Sequence, residues 1–535
     1  MVKNWTYVNS KGNKVLDLNP WVFLSSLVII VLFVGVSLLN TDGVTNAANS
    51  VQQWITNTTG WFFVLTVNII LIYVIYLLFS RYGTIRLGGR HAKPEFGAFA
   101  WLSMLFSAGM GIGLMFYSIG EPIFHLITPP RGAEPGSLAA YQDAIKTTYL
   151  HWGLHAWAIY ALAGLALAYF SFNRQQPLSI RSLFYPILGD RVHGAWGHLI
   201  DTLATVATLF GVATSLGFGV TQINSGLNHL FGIPIQAAVQ LGLTILITLF
   251  ATFSVVLGLE KGIKRLSEIN VGLALALLIF VLLVGPTIFI LNAYVENIGL
   301  YLDDFFALGF WNETYTDGDW QNSWTVFYWA WWITWAPFVG IFIARISRGR
   351  TIRAFIGGVL IVASLMTFFW FSVFGGSAFY MEMMNIGTVS AAVQENLSSA
   401  MFVFLEQVPA VSGLSFPYAI QVIVSLFATL VIVFFFVTSS DSGSLVIDII
   451  TAGGRTDPPV VQRVFWAGME GIVASILLLG GGLSALQTAT ISSGLPFAVI
   501  MLVMIFSLQR ALDEDYDKSP TLIPSERPDL LPKIE

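Results

Sequence analysis

The chain reads as an all-α polytopic membrane protein of twelve transmembrane helices, and three observations lead there. Hydrophobic residues fill 56% of its 535 positions and charged residues only 10%, where a soluble domain carries about a quarter charged. Apolar runs of the roughly 20 residues that a bilayer-crossing helix needs recur at about 21–39, 62–79, 96–124, 141–172, 199–230, 234–257, 267–291, 320–344, 352–374, 417–451, 461–481 and 488–508. Lysine and arginine gather in alternate connections between those runs, as they do in cytoplasmic loops.

The alternation tests the count independently. Twelve spans place Lys3, Lys11, Lys14, Arg81, Arg86, Arg90, Lys93, Arg174, Arg181, Arg191, Lys261, Lys264, Arg265, Arg345, Arg348, Arg350, Arg353, Arg455, Arg463, Arg510, Lys518, Arg527 and Lys533 on one face. Only Arg131 and Lys146 fall on the other. One missed or invented span would invert the pattern from that point onward, so both termini are expected in the cytoplasm and the protein in the plasma membrane. The first run is too long, and lacks the small-residue cleavage site, for a removable signal peptide; it reads as an anchor helix. The net charge of -5 sums two differently charged faces and says little about partners; none of the features points to nucleic acid. The absence of cysteine excludes disulfides and thiolate metal sites, the seven histidines show no ligand-like spacing, and no cofactor is expected.

Taken in order, residues 1–20 form a cytoplasmic N-terminus and 21–95 two leading helices. Residues 96–291 form a first group of five spans, 292–319 an outer connection, 320–508 a second group of five, and 509–535 a cytoplasmic tail. The connection from Asn292 to Phe310 is apolar at near-helical spacing yet carries Glu296, Asn297, Asp303 and Asp304. It reads as an amphipathic surface helix, with a structured loop as the competing reading. Five spans are an odd number, so the second group runs opposite to the first, the arithmetic of an inverted repeat.

The leading span of each group carries helix-breaking residues. In the third, Gly109-Met110-Gly111-Ile112-Gly113 places three glycines at alternate positions, each less favourable than alanine in a helix by roughly 1 kcal/mol. In the eighth, Pro337 cannot donate to the carbonyl four residues back, and Gly340 follows. Interruption is expected in both, with freed backbone groups lining a site; close helix packing through small residues competes. The third-span glycines are not a nucleotide loop, because they lie inside an apolar helix with no preceding strand.

The eighth span holds five tryptophans in a short stretch, Trp324, Trp329, Trp331, Trp332 and Trp335. Membrane tryptophans ordinarily gather at the water interface, whereas Trp331, Trp332 and Trp335 fall near mid-span. Buried ring faces bind an alkylated cation that has no hydrogen to donate, at roughly 2 kcal/mol or more per desolvated face. Trp152 and Tyr160 in the fourth span are eight residues apart, about 80° around a helix, and can face the same cavity; His155 and Trp157 have less claim. A tryptophan-rich packing core is the competing reading.

The tenth span turns abruptly hydroxyl-rich from Phe434 through Thr438, Ser439, Ser440 and Asp441 to Ser444. Hydroxyls beside unwound carbonyls suit sodium, whereas hydroxyls bonded back to their own helix are common in membranes. Asp441 is a candidate functional carboxylate or the end of the helix.

These residues together resemble the betaine/carnitine/choline transporter family. Its signature is a small residue followed by Trp-Thr-aliphatic-x-aromatic-Trp-x-Trp-Trp, and Ser323 to Trp332 satisfies it throughout. Met115-Phe116-Tyr117, Glu121-Pro122, Pro337-Phe338-Val339-Gly340, the basic loop Arg345 to Arg353, and Thr438 to Asp441 also match. The resemblance covers all twelve spans. It implies a leucine-transporter-like five-plus-five inverted repeat preceded by two helices, and a homotrimer in membrane lipid. By similarity, Trp152, Tyr160, Trp332 and Trp335 form the aromatic box, with Trp329 and Trp331 along the pathway. A sodium ion would lie on backbone oxygens near Ser107 and Met110, on Phe435 backbone, and on the hydroxyls of Thr438 and Ser439. Proton-coupled choline carriers of the family tend to carry Asp where this chain has Gly113. A second sodium site would use two threonines near Phe338, but only Thr208 is present and Val212 replaces the other, which puts a two-sodium cycle in doubt.

The expected activity is therefore import of a zwitterionic or quaternary ammonium osmolyte, glycine betaine first, coupled to sodium by alternating access, and not an enzymatic reaction. Helix interruption near Met110, Gly111 and Gly113 would offer backbone N–H groups to the carboxylate. Sodium-independent or proton-coupled choline or carnitine transport, and dimethylsulfoniopropionate or ectoine carriage, are the alternatives. A transporter-like sensor or a channel is the reading from another class.

Overall fold

The computed structural model describes residues 4–10, 12–39, 41–257 and 264–518. Lys3, Lys11, Lys261, Arg527 and Lys533 of the charge pattern lie outside the described residues. Eleven described helices are long and apolar enough to cross a membrane, or twelve when one sharply bent pair is counted as a single span.

A short antiparallel hairpin, β1 (Trp5–Val8) and β2 (Lys14–Leu18), precedes the first span. It departs from the all-helical expectation. Asp17 holds it in place: its backbone N–H donates to Gln462 Oε1 at 2.5 Å, and its carboxylate pairs with Arg455. Helices α1 (Pro20–Leu39) and α2 (Thr41–Phe79) follow, the second running about twenty residues further toward the N-terminus than its apolar stretch.

The third span is α3 (Ala98–Gly109) and α4 (Ile112–Ile127), meeting at 69°. Between them Met110 is extended, with φ/ψ of -120°/126°, and Gly111 is non-helical at -144°/-134°. The fourth span is α5 (Leu138–Trp152) and α6 (Leu154–Ala168), interrupted at Gly153. That break was not foreseen. A Cβ on Gly153 would lie 2.4 Å from the Phe368 ring, and the Thr367 hydroxyl donates to the carbonyl of Trp152 at 2.8 Å.

A short α7 (Tyr185–Leu188) leads to α8 (Ala195–Phe231), α9 (Ala237–Leu257) and α10 (Lys264–Val284), spans five to seven. The connecting segment is helical in two pieces, α11 (Thr287–Asp303) and α12 (Phe305–Gly309). Just beyond α11, Asp304 accepts from Lys146 Nζ at 2.8 Å and from Arg131 at 2.5 Å, while Arg131 Nε also donates to Asp143 at 2.7 Å. Arg131 and Lys146, the exceptions to the charge pattern, are thus neutralised by two carboxylates. Partial burial opposes charge on Asp304, but the hydrogen bonds from Arg131 and Lys146 outweigh it and hold its carboxyl below the usual range.

The eighth span is α13 (Phe327–Ile346), entered through a π-helical stretch at Asn322–Val326. Pro337 lies inside it without interrupting it, which corrects the expectation of a second break. Proline itself removes one N–H donor from the ladder, and the helix is clamped from both sides. A Cβ on Gly340 would lie 2.9 Å from Ala163 of α6, and one on Gly211 of α8 would lie 2.9 Å from the Trp335 ring. Here the small-residue packing reading prevails.

The ninth span is α14 (Ile352–Ile356) and α15 (Ala363–Met383), joined by a π-helical stretch at Gly357–Val362. Helices α16 (Val389–Glu395) and α17 (Ala400–Gln407) lead to the tenth span, α18 (Tyr418–Thr451). Spans eleven and twelve fall within one assigned run, α19 (Val460–Lys518). Gly482, with φ +60°, separates its two crossing segments, Val460–Gly480 and Ser484–Tyr516.

The packing repeats between the halves. The eighth span lies along the fourth (α13 on α6) as the third lies along the ninth (α4 on α15), and the eighth touches the twelfth as the third touches the seventh (α3 on α10). Helices α8 and α18 pack on each other. Exchanging the two halves maps each pair onto its counterpart, as an inverted repeat requires.

Candidate substrate and ion site

The break in the third span creates the site. Ending α3 at Gly109 and starting α4 at Ile112 takes the first N–H groups of α4 out of the regular helical ladder; that of Leu114 donates to the Gly111 carbonyl at 3.1 Å. The glycines give this stretch room against large rings: a Cβ on Gly109 would lie 2.6 Å from the Trp157 ring, and one on Gly113 2.3 Å from the Trp331 ring. Close packing and unwinding therefore occur together here, at neighbouring residues.

Gly109, Gly111 and Gly113 line one internal chamber with Leu114, Trp152, Tyr160, Ser215, Trp331, Trp332 and Trp335. The four box residues expected by resemblance are all on its wall. Trp332 is the hinge of the wall, with ring centroids 4.9 Å from Tyr160 and 5.6 Å from Trp152. Trp331 stands 6.2 Å from Trp152 and donates its indole N–H to Ser215 Oγ at 3.2 Å. The indole nitrogens of Trp332 and Trp335 are buried without a hydrogen-bond partner. The chamber measures about 20 Å³, enough for about one water molecule, so the rings must part to admit a trimethylammonium group.

Other expected residues sit apart from this wall. Trp329 is fully buried and stacks 5.8 Å from His155; His155 Nε2 in turn faces Asn68 Oδ1 at 3.2 Å. Trp157 backs the wall from 5.8 Å behind Tyr160. Met110 is buried at the break but is not part of the chamber lining.

Of the sodium candidates, Ser439 and Phe435 lie against the break: Ser439 Oγ is 3.1 Å, and the Phe435 ring 4.0 Å, from where a Cβ on Gly111 would be. Ser107 and Phe435 line a second, apolar cavity of about 320 Å³. The Thr438 hydroxyl donates to the Phe434 and Phe435 carbonyls at 2.9 and 3.2 Å, the back-bonded arrangement; its oxygen also accepts from Asn270 Nδ2 at 3.4 Å, which leaves one lone pair for a cation. Thr208 Oγ1 is buried without a partner, Val212 is fully buried, and Phe338 packs 5.3 Å from Trp335. Asp441 does not end its helix, since α18 continues to Thr451; it accepts from Ser254.

Leu114 and Ser215 on the wall, and Glu121 beyond it, were not read from the sequence as site residues. Ser215 carries no motif that would mark it. Glu121 did carry a signal, a carboxylate inside an apolar span, and it is fully buried directly behind Trp152, whose indole N–H it accepts at 2.7 Å.

Comparison with known proteins is consistent along most of the chain. The profile of the betaine/carnitine/choline family of transporters matches residues 21–517. The chain is 47% identical over 522 residues to an uncharacterized transporter of Mycobacterium tuberculosis, covering 96% of this chain and 86% of that protein. It is 45% identical over 504 residues to a glycine betaine transporter of Acinetobacter baylyi, covering 94% and 74%. With the glycine betaine transporter of Bacillus subtilis it shares 43% identity over 498 residues, covering 92% and 94%. The chain belongs to the betaine/carnitine/choline family of transporters.

Proposed function

We propose that this transporter is a sodium-coupled symporter importing an onium osmolyte, glycine betaine first, through the plasma membrane with both termini in the cytoplasm. The observation that carries the substrate is the chamber walled by Trp152, Tyr160, Trp331, Trp332 and Trp335 and faced by the third-span glycines. A trimethylammonium head is gripped by ring faces because it has no proton to donate. The N–H groups of Ile112 and Gly113 at the start of α4 would receive a carboxylate, so the two ends of a betaine would meet complementary chemistry. Gly113 supports a zwitterion over choline by resemblance, since the proton-coupled choline carriers of the family tend to carry Asp at that position.

Sodium coupling rests on Ser439 and Phe435 beside the break, with Thr438 one residue before Ser439. A cation there would stabilise the open backbone at Met110 and Gly111, which links ion binding to the shape of the chamber. The carriage of glycine betaine by relatives from Acinetobacter baylyi and Bacillus subtilis supports the same reading. Alternating access would rock one group of helices against the other.

The experiment is uptake of labelled glycine betaine into proteoliposomes, with and without an inward sodium gradient. Sodium-driven accumulation is expected, and Trp332→Ala should abolish it while the protein remains monodisperse. Uptake indifferent to sodium would remove the coupling, and unchanged uptake by the variant would remove the box.

A further inference from the structure

Glu121 sits in α4 two turns beyond Gly113, with no exposure to solvent. Among the described residues no lysine or arginine pairs with it; its ionic neighbours are His125 and His151 alone. Its two oxygens meet four groups able to donate. Oε1 takes His151 Nδ1 at 2.6 Å and faces His125 Nε2 at 3.3 Å. Oε2 takes the Trp152 indole N–H at 2.7 Å and the Tyr328 hydroxyl. His151 Nε2 continues the chain to the Thr325 hydroxyl at 2.9 Å, so a ring donating from Nδ1 accepts from Thr325 at Nε2. An ionised carboxylate only accepts, and an indole N–H can only donate; the arrangement suits an anion.

The consequence lies on the other side of the rings. Trp152 lines the chamber, and Tyr328 stacks on His151 with centroids 4.4 Å apart and meets the Trp152 ring edge-on at 5.5 Å. We propose that Glu121 is a positioning and specificity-determining residue of the substrate site: it fixes the planes of Trp152 and Tyr328 and places a formal negative charge at the N–H edge of the indole whose face meets the onium head. A hydrogen bond from the indole to a carboxylate enriches the ring face in electron density, and the buried charge adds attraction in surroundings where water does not screen it. The same side chain joins α4, in its half beyond the break, to the end of α5 and to the start of the eighth span, so movement of α4 is tied to the orientation of the aromatic wall. This inference rests on the onium reading of the chamber.

The test separates charge from shape with tert-butylacetate, which copies the outline of glycine betaine but carries a neutral carbon at the head. Full-length protein in proteoliposomes is assayed for inhibition of labelled betaine uptake by unlabelled betaine and by tert-butylacetate. Wild type should prefer the onium; Glu121→Gln should lower that preference by about 10-fold, through KM more than kcat. Glu121→Asp keeps the charge on a shorter arm and should retain the preference within about threefold while KM rises. Equal weakening toward both compounds, or an unchanged ratio, in Glu121→Gln overturns the proposal, as does collapse of the preference in Glu121→Asp. The aspartate variant carries the test alone if the glutamine variant fails to fold. Failure of wild type to recognise betaine would instead overturn the substrate reading, an outcome visible before any variant is made.

Discussion

The third and eighth spans lead the two halves of the repeat, and both carry residues that disfavour a helix, yet only the third is broken. In the third, the backbone opens at Met110 and Gly111 while the flanking glycines press against Trp157 and Trp331. In the eighth, Pro337 removes one donor from a helix held between α6 and α8. The difference teaches that a helix breaker acts through its surroundings. One missing hydrogen bond is tolerated where every neighbouring surface is filled, whereas glycines remove the side chains that would have filled it and let the backbone move toward its neighbours.

The comparison can be broken most severely at Gly113. Gly113→Val should drive a side chain into the Trp331 ring and reduce betaine uptake by about 100-fold or more, read in proteoliposomes, with membrane insertion unchanged; near-normal uptake would mean that the wall does not depend on this contact. A smaller effect is expected at the ion side of the break. Thr438→Val keeps the volume but removes an oxygen, and should raise the sodium concentration for half-maximal uptake about 10-fold with a lesser change at saturating sodium. An unshifted sodium curve would take Thr438 out of the site.

Asp304 supplies a control outside both spans. Its folded-state carboxyl is held below the ordinary value near 4, so its contribution to stability is present above that value and is lost as pH falls through the folded-state value. Asp304→Asn should lower thermal stability by about 1 kcal/mol at neutral pH and flatten that part of the acid dependence, both seen in melting curves recorded between pH 3 and 7. The smallest effect belongs to the unbroken helix. Pro337→Ala restores a donor to a continuous helix, and uptake should stay within about twofold. A large loss would show that the proline does more than the packing around it allows.

Much of the site was legible before any coordinates. The indole-rich stretch named three wall residues, and the spacing of Trp152 and Tyr160 named two more, because ring chemistry at mid-span has few other uses. The break at Met110 and Gly111 was legible too, since glycines at alternate positions weaken one short stretch of backbone. Sequence failed where the outcome depended on a partner. Pro337 looked like a break because its neighbours in α6 and α8 were not visible. Gly153 looked ordinary because its need for space comes from Phe368, 215 positions later. Glu121 was seen as part of a motif, but its four neighbours come from three separate segments.

By itself the sequence determined the number and order of the spans, since a bilayer sets the length of an apolar run and charge marks the side on which each loop lies. It also supplied the rings and the weak point in the third span, which are local properties of residue type. Only the tertiary structure decided that Trp152, Tyr160, Trp331, Trp332 and Trp335 share one chamber, that α13 stays whole, and that a buried carboxylate stands behind the wall. Those outcomes depend on which helix faces lie against each other, and within the membrane that is settled by the fit of side chains and backbone between helices.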